Sequence, residues 1–197
     1  MRKGEATRLR VLETAARQAA ARGLTAVSLG DLAEVVGISK SGLFKHFDSK
    51  EAMQLAVVEL VTERFAAFIF EGAAATPPGR ARMERLFRRW LDWSDSEWVE
   101  CGCPVNAFIA ELDDQPGPLR DLLRQRLQVF REAMIEEMRQ VRAPPLSTDE
   151  AQAAYFQMRS YLLGHGDARR MMGDRHARRS ALAAFAALMD RTMKSAA

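Results

Sequence analysis

Residues 28–50 read Ser-Leu-Gly-Asp-Leu-Ala-Glu-Val-Val-Gly-Ile-Ser-Lys-Ser-Gly-Leu-Phe-Lys-His-Phe-Asp-Ser-Lys. This stretch, called the recognition segment below, predicts two short helices joined by a tight turn. Ser28 is suited to cap the first helix with Asp31 as its capping-box partner, and Gly37 gives the turn its backbone freedom. The second helix is expected to begin at Ser39, with apolar residues that pin it beneath the first.

The residues of the second helix that are expected to be exposed are small, polar or basic, and none is a carboxylate. These residues are Ser39, Lys40, Ser41, Gly42, Lys45 and His46. Such a surface can approach the phosphate-lined major groove of DNA. The alternative is a packed helical hairpin whose basic face is simply solvated.

The distribution of charge agrees with a polyanionic partner. Residues 1–50 carry nine Lys and Arg against five Asp and Glu, a net charge of +4, whereas the whole chain has only +3. A basic end on a near-neutral remainder favours contact with nucleic acid. Four basic residues near the N-terminus form either an arm that reaches DNA or an exposed tail: Arg2, Lys3, Arg8 and Arg10.

Helical periodicity continues beyond the recognition segment and predicts an all-α chain of about nine helices. The run Pro77-Pro78-Gly79 is the clearest break, and a helix of about 80–97 follows it. Ser147 and Glu150 predict a capping box that opens a helix to about residue 163. A loop over 164–175 and a last helix over about 176–194 are expected after it.

Composition excludes several classes of protein. The 197 residues are 48% apolar and 28% charged, an ordinary globular balance. No window approaches the roughly 18 apolar residues of a membrane span, and the N-terminus lacks an apolar signal segment, so a cytoplasmic protein is expected. Two cysteines are too few for a disulfide scaffold.

Residues 7–51 resemble the N-terminal helix-turn-helix of the tetracycline-repressor family of transcriptional regulators. The matching pattern is Ala-Ala…Gly-Leu-Thr-Ala-Val-Ser-Leu-Gly-Asp-Leu-Ala…Gly-Ile-Ser-Lys-Ser-Gly-Leu-Phe-Lys-His-Phe-Asp-Ser-Lys-Glu. The resemblance implies a three-helix DNA-binding domain over residues 1–50. It also implies a helical ligand-binding and dimerisation domain over residues 51–197.

The same resemblance implies which side chains meet DNA. Ser39, Lys40, Ser41 and Gly42 would face base edges, and Lys45, His46 and Lys50 would sit at phosphates. Ser28 and Phe44 complete the candidate set. Phe44 departs from the family, which usually has a tyrosine there whose phenol bonds a phosphate, so van der Waals contact with the sugar backbone would replace that bond.

The second half of the chain has no catalytic motif, and its histidines are too dispersed for a nucleophile–base pair, so we expect neither an enzyme nor a cofactor. An effector pocket would combine apolar side chains with a few polar groups. The candidates are Phe87, Trp90, Trp93, Asn106, Phe108, Phe130, Met134, Tyr155, Met158 and Arg159. Aromatic and Met residues at the same helical spacing are, however, more often plain core.

Cys101 and Cys103 flank one glycine and leave three interpretations open. They are structural residues, a redox or electrophile sensor, or two ligands of a metal site that lacks further partners.

The last two helices are apolar on more than one face, which favours a four-helix interface between two copies over a larger monomeric core. Together with the family resemblance, this interface gives the expected function, a homodimeric repressor that binds a palindromic operator and is released by a small, largely apolar effector. A regulator that senses thiol chemistry through Cys101 and Cys103 is the alternative. A ligand-binding module without DNA activity is a further possibility.

Overall fold

The computed structural model describes residues 3–94, 96 and 102–194, which form nine α-helices and no strand. The predicted all-α fold is therefore confirmed. The helices are α1 (Lys3–Arg22), α2 (Leu29–Val36), α3 (Lys40–Phe44), α4 (Lys50–Phe70), α5 (Arg80–Trp93), α6 (Pro104–Leu112), α7 (Pro118–Arg139), α8 (Thr148–Arg170) and α9 (Ala177–Lys194). A single 3₁₀ turn, Ala73–Ala75, follows α4. None of these described helices is both long and apolar enough to cross a membrane.

The chain divides into two compact units that are interleaved in sequence. The first unit comprises residues 1–66 and 96–128, and the second comprises residues 67–95 and 129–197. The first unit thus holds α1, α2, α3 and α6, with most of α4 and the first half of α7. The second holds α5, α8 and α9, with the remainder of α4 and α7. The predicted domain boundary after residue 50 stays a prediction.

The core of the first unit is built on the small residues of α1. Ala15 and Ala19 are fully buried, and α1 packs against both α2 and α6. Small side chains allow the helix backbones to approach closely, so larger residues such as Leu32 of α2 and Val57 of α4 can fill the remaining space. This packing places the recognition segment on a rigid base.

Aromatic stacking joins α5 to α9 in the second unit. The Phe87 and Phe185 rings lie 4.0 Å apart between centroids with an interplanar angle of 8°. Two ion pairs reinforce the same helices, with Arg80 Nη1 2.6 Å from Asp190 Oδ1 and Arg178 Nη2 2.6 Å from Asp92 Oδ1. The second unit is therefore held by contacts between residues far apart in sequence.

The course of α8 corrects one expectation. Its start is as predicted, since Ser147 and Glu150 form the reciprocal capping box. Its end is not, because the helix continues to Arg170 and the first seven residues of the predicted loop 164–175 are helical. Two glycines weaken a helix by roughly 0.5–1 kcal/mol each. Buried packing outweighs that cost, since His165 extends the buried stripe that contains Leu162.

The predicted helix of about 80–97 ends earlier than expected. α5 closes at Trp93 with Ser94 as its C-cap. The predicted continuation through residues 95 and 97 lies outside the described residues.

Candidate functional site

The turn of the recognition segment has the geometry that its glycine predicts. Gly37 adopts φ 72° and ψ 38°, the left-handed conformation that a side chain disfavours, and its N–H donates to the carbonyls of Ala33 and Glu34. At the other end of α2, the Ser28 hydroxyl accepts from the Asp31 N–H at 3.1 Å. Both ends of α2 are thus fixed by neighbouring residues.

Helix α3 is anchored by apolar residues and exposes its polar ones. Leu43 is fully buried and Phe47, just beyond the helix, is 4% exposed. The side chains left on the outside are Ser39, Lys40, Ser41, Phe44 and Lys45, while Gly42 and His46 are half-buried. The structure therefore brings the predicted DNA-contacting residues of α3 to one short, carboxylate-free segment.

Two details of the α3 surface depend on its hydroxyls and its aromatic ring. The Ser39 hydroxyl caps the helix by accepting from the Gly42 N–H at 3.0 Å, and it lies 3.1 Å from the Ser41 hydroxyl. Phe44 is 52% exposed, a large apolar side chain among polar neighbours. Its ring is available for van der Waals contact but has no hydrogen to donate.

The side chain of Lys50, a predicted phosphate contact, binds a backbone carbonyl in this structure. Its Nζ donates to the Thr25 carbonyl at 2.6 Å, across the turn between α1 and α2. An ammonium group has three N–H donors, so this bond leaves donors for a phosphate oxygen, and the contact of Lys50 with DNA stays a prediction.

The basic N-terminus is largely helical. Lys3 begins α1, and Arg8 and Arg10 lie within that helix. The Arg8 guanidinium carbon sits 5.1 Å from the centroid of the Phe47 ring, a cation–π contact that holds it against the recognition segment. Arg2 lies outside the described residues, so the proposed arm stays a prediction.

Four predicted effector residues form a connected group in the second unit, here called the effector cluster: Trp90, Phe130, Tyr155 and Arg159. The rings of Trp90 and Phe130 meet edge to face at 5.0 Å, and the Arg159 guanidinium carbon lies 5.5 Å from the Trp90 centroid. Burial raises the pKa of the Tyr155 phenol, although the charges of Arg159 and Arg131 lower it in part. Aromatic surface and positive charge therefore coincide here.

The other candidates for the effector pocket separate into two sets. Phe87, Trp93, Met134 and Met158 are at most 1% exposed in the second unit, and such burial is typical of core. Asn106 and Phe108 belong to α6 in the first unit, where Phe108 is fully buried. These two residues thus belong to a different unit from the effector cluster, and their part in a pocket stays a prediction.

Surface cavities of the second unit involve other residues. A cavity of about 400 Å³ between α5 and α9 is lined by residues that include Arg88, Leu182 and Phe185. A second, of about 230 Å³, lies between α8 and α9 and includes Gln157 and Leu188. None of the predicted effector residues lines either cavity, so the composition of the pocket stays a prediction.

The thiol and metal interpretations gain no support from the described residues. Cys101 lies outside them, and Cys103 is a half-buried N-cap of α6 whose side chain makes no capping hydrogen bond. Across residues 3–94, 96 and 102–194, no group of three or more His, Cys, Asp or Glu is placed to hold a metal ion. Thiol sensing therefore stays a prediction.

One charged residue of the first unit, which no sequence pattern indicated, contacts the turn just before the recognition segment. Glu111 of α6 accepts hydrogen bonds from Leu24 and Thr25, in the turn that leads from α1 into α2. The partners are more than 80 residues apart in sequence, so no local pattern could have indicated the contact.

Two family models match the chain. Residues 11–57 match bacterial regulatory proteins of the tetR family, and residues 79–185 match the tetracyclin repressor-like C-terminal domain. The second match alone covers more than half of the 197 residues. Among curated proteins, none has a sequence that matches this one.

Solved structures share the fold over nearly the whole chain. A TetR-family transcriptional regulator from Streptomyces coelicolor, SCO4454, superposes with a TM-score of 0.83 at 19% identity, covering 96% of this chain and 97% of that one. A TetR regulator from Chloroflexus aurantiacus has a TM-score of 0.77 at 22% identity, with 96% of each chain covered. One from Legionella pneumophila has 0.71 at 22%, covering 94% and 96%.

These matches agree with the exposed basic helix and the all-α architecture. Proteins of this family are transcription regulators rather than enzymes. The chain belongs to the tetracycline-repressor family and is a DNA-binding, helix-turn-helix transcription regulator.

Proposed function

We propose that the protein is a homodimeric repressor that binds a palindromic operator in the cytoplasm and leaves it when a small, largely apolar effector binds. The observation that carries this proposal is the surface of α3. Lys40 and Lys45 are exposed on a segment without carboxylates, while Leu43 is fully buried behind them. A short helix held in this way can enter a major groove without losing its support.

The proposed contacts divide into those that read bases and those that bind phosphates. Ser39, Lys40, Ser41 and Gly42 face base edges in this proposal. Lys45, His46 and Lys50 neutralise phosphates, and Ser28 and Phe44 flank the interface. Lys50 keeps its bond to the Thr25 carbonyl in this proposal, and another of its three N–H donors meets a phosphate oxygen.

The proposed dimer uses the outer faces of α8 and α9. Phe156 and Leu163 are 72% and 47% exposed on α8, and α9 exposes small residues such as Ala183 and Ala187. Large apolar side chains beside small ones suit a symmetric four-helix interface. Phe156→Glu is expected to yield monomers in sedimentation analysis, whereas Met171→Glu, at an exposed residue past the end of α8, leaves the dimer intact. Dimers of Phe156→Glu would contradict this interface.

The proposed effector site is the effector cluster of the second unit. Trp90 and Phe130 supply aromatic surface, and Tyr155 and Arg159 supply polar groups that orient a ligand. Because α4 and α7 each begin in the first unit and end in the second, a change at the cluster can be passed along continuous helices. The effector then favours a conformation that does not bind DNA.

The test is selection of DNA from a random library by the wild-type protein, followed by measurement of affinity by fluorescence anisotropy. The double variant Lys40→Ala/Lys45→Ala should lose binding to the selected operator. Arg175→Ala removes an exposed positive charge from the second unit and should bind like the wild type. Failure of the wild type to enrich any DNA, or full binding by the double variant, would contradict the proposal.

A further inference from the structure

One carboxylate in the first unit holds the turn between α1 and α2. Glu111 Oε2 accepts from the Leu24 N–H at 2.5 Å, and Oε1 accepts from the Thr25 N–H at 2.8 Å. The Thr25 hydroxyl donates to the same Oε1 at 2.5 Å. We call this arrangement the carboxylate clamp. Hydrogen bonds to an ionised acceptor are about twice as strong as neutral ones.

The same two residues are bound from α4 through their carbonyls. Gln54 Nε2 donates to the Leu24 carbonyl at 2.9 Å in a buried position, and Lys50 Nζ donates to the Thr25 carbonyl at 2.6 Å. The side chain of Leu24 is itself fully buried. Side chains of α4 and α6 thus bind both backbone groups of the two residues that lead into α2.

Gly23, which precedes these two residues, leaves space for the Glu111 carboxylate. Gly23 has φ +91°, a conformation that L side chains rarely adopt, and a Cβ there would lie 3.2 Å from Oε2 of Glu111. The glycine therefore both ends α1 and leaves room for the carboxylate. Two independent features of the turn, its donors and its glycine, match a carboxylate supplied by α6.

We infer that Glu111 is a positioning residue for operator binding, an inference that rests on the proposed DNA-binding function. By holding Leu24 and Thr25, the carboxylate sets the path by which the chain leaves α1 and enters α2. α3 packs directly on α2 in the same unit, so its presentation to DNA follows that path. Glu111 acts through the turn and makes no contact with DNA.

The clamp makes operator binding depend on the place of α6. All three donors bind the carboxylate of one side chain, Glu111, so a displacement of α6 by a few ångströms breaks the three bonds together. The turn would then lose its bonds to α6, and the orientation of α2 and α3 would broaden. A broader set of orientations lowers affinity for a specific site more than affinity for random DNA, because only the specific site requires one geometry.

The variant that tests this inference is Glu111→Gln, which keeps the shape of the side chain but replaces one acceptor oxygen by a donor. Its dissociation constant for the selected operator should rise roughly tenfold, the effect of one lost charge-assisted hydrogen bond. Its affinity for random DNA of equal length should stay within about twofold, since every Lys and Arg is retained. Asp113→Asn makes the same change of charge at the exposed C-cap of α6 and should leave both affinities unchanged.

Two further measurements separate positioning from loss of fold. Amide hydrogen exchange at Leu24 and Thr25 should accelerate in Glu111→Gln, while exchange in α8 stays as in the wild type. Thr25→Val removes the hydroxyl donor. Combined with Glu111→Gln, it should weaken operator binding by less than the product of the two single effects, because both changes break the same clamp.

The outcomes that overturn the inference are distinct. Unchanged operator affinity in Glu111→Gln would refute it, as would an equal loss for operator and random DNA accompanied by a lower Tm. A wild-type protein that binds no DNA would refute the proposed function first and the inference with it. Wild-type binding beside an unaffected variant would refute the inference alone.

Discussion

The recognition segment and the effector cluster are assembled in opposite ways. In residues 28–50, the candidate contacts are mostly exposed, and the caps and turn that hold them come from residues a few positions away. In the effector cluster, Trp90, Phe130 and Arg159 come from three helices spread over 70 positions of sequence. A local pattern can therefore identify an exposed polar face, but an apolar stripe reads the same whether it lines a pocket or fills a core.

The largest expected effect tests whether a buried effector candidate fills the core or lines a pocket. Phe87→Ala should lower the free energy of unfolding by about 3–5 kcal/mol, because it removes a fully buried ring that stacks on Phe185. Chemical denaturation measures the change. Met171→Ala, at a residue that is 76% exposed, should stay within about 0.5 kcal/mol of the wild type. A stable Phe87→Ala variant with impaired effector binding would instead make Phe87 a pocket residue.

The next largest effect tests whether an exposed lysine of the recognition segment contacts a phosphate. Lys45→Ala should leave stability nearly unchanged but lower the slope of log Kd against log salt by about 2, one phosphate contact for each subunit of a dimer. Near 0.1 M salt, this corresponds to a loss of roughly 10- to 100-fold in operator affinity. Titrations at several salt concentrations measure the slope. A variant with lower affinity but the wild-type slope would show that Lys45 does not meet a phosphate.

A smaller effect sharpens the role of the exposed ring in α3. Phe44→Tyr adds a hydroxyl at a position that is 52% exposed, so the ring can stay in place while gaining a donor for a phosphate oxygen. One such hydrogen bond contributes about 0.5–1.5 kcal/mol, or a gain of a few-fold up to about tenfold in operator affinity. Phe44→Leu, which has no hydroxyl, should show no gain. Equal affinities of the wild type and Phe44→Tyr would place the ring away from phosphates.

The smallest effect concerns the start of α8, which, like the recognition segment, is held by hydrogen bonds between residues a few positions apart. The backbone N–H of Ser147, and then its side chain, hold the pKa of the Glu150 carboxyl below its ordinary value. A lowered folded-state pKa contributes stability that is complete above the ordinary value and is lost as pH falls through the lowered one. Glu150→Gln should therefore flatten the dependence of Tm on pH in the acidic range, whereas Asp149→Asn should not. Parallel Tm curves for the wild type and Glu150→Gln would contradict this.

The start and the end of α8 show where local prediction stops. Ser147 and Glu150 form a hydrogen-bonded box between residues three positions apart, so the sequence predicts it correctly. The glycines at 164 and 166 predict a loop, yet the helix continues to Arg170. Burial of His165 against the rest of the second unit decides that segment, and no nearby residue indicates it.

The recognition segment likewise combines features that neighbouring residues predict with one that only tertiary structure decides. Gly37, Ser39 and Leu43 predict a turn, a cap and an anchor from their own positions, and the structure confirms each. The family resemblance implies that Lys50 meets a phosphate, and in the structure its Nζ donates to the Thr25 carbonyl in the turn between α1 and α2. Whether it also reaches DNA stays a prediction.

Sequence alone was enough for the all-α fold, the helix-turn-helix and the polar face of α3, because caps, turns and helical periodicity act over a few residues. Tertiary structure decided the rest. It assigned Asn106 and Phe108 to one unit and Trp90 and Phe130 to the other, and it brought Glu111 to Leu24 and Thr25. Those relations depend on packing between residues far apart in the chain. Contacts of this kind produce no periodic pattern in the sequence, so a local pattern cannot predict them.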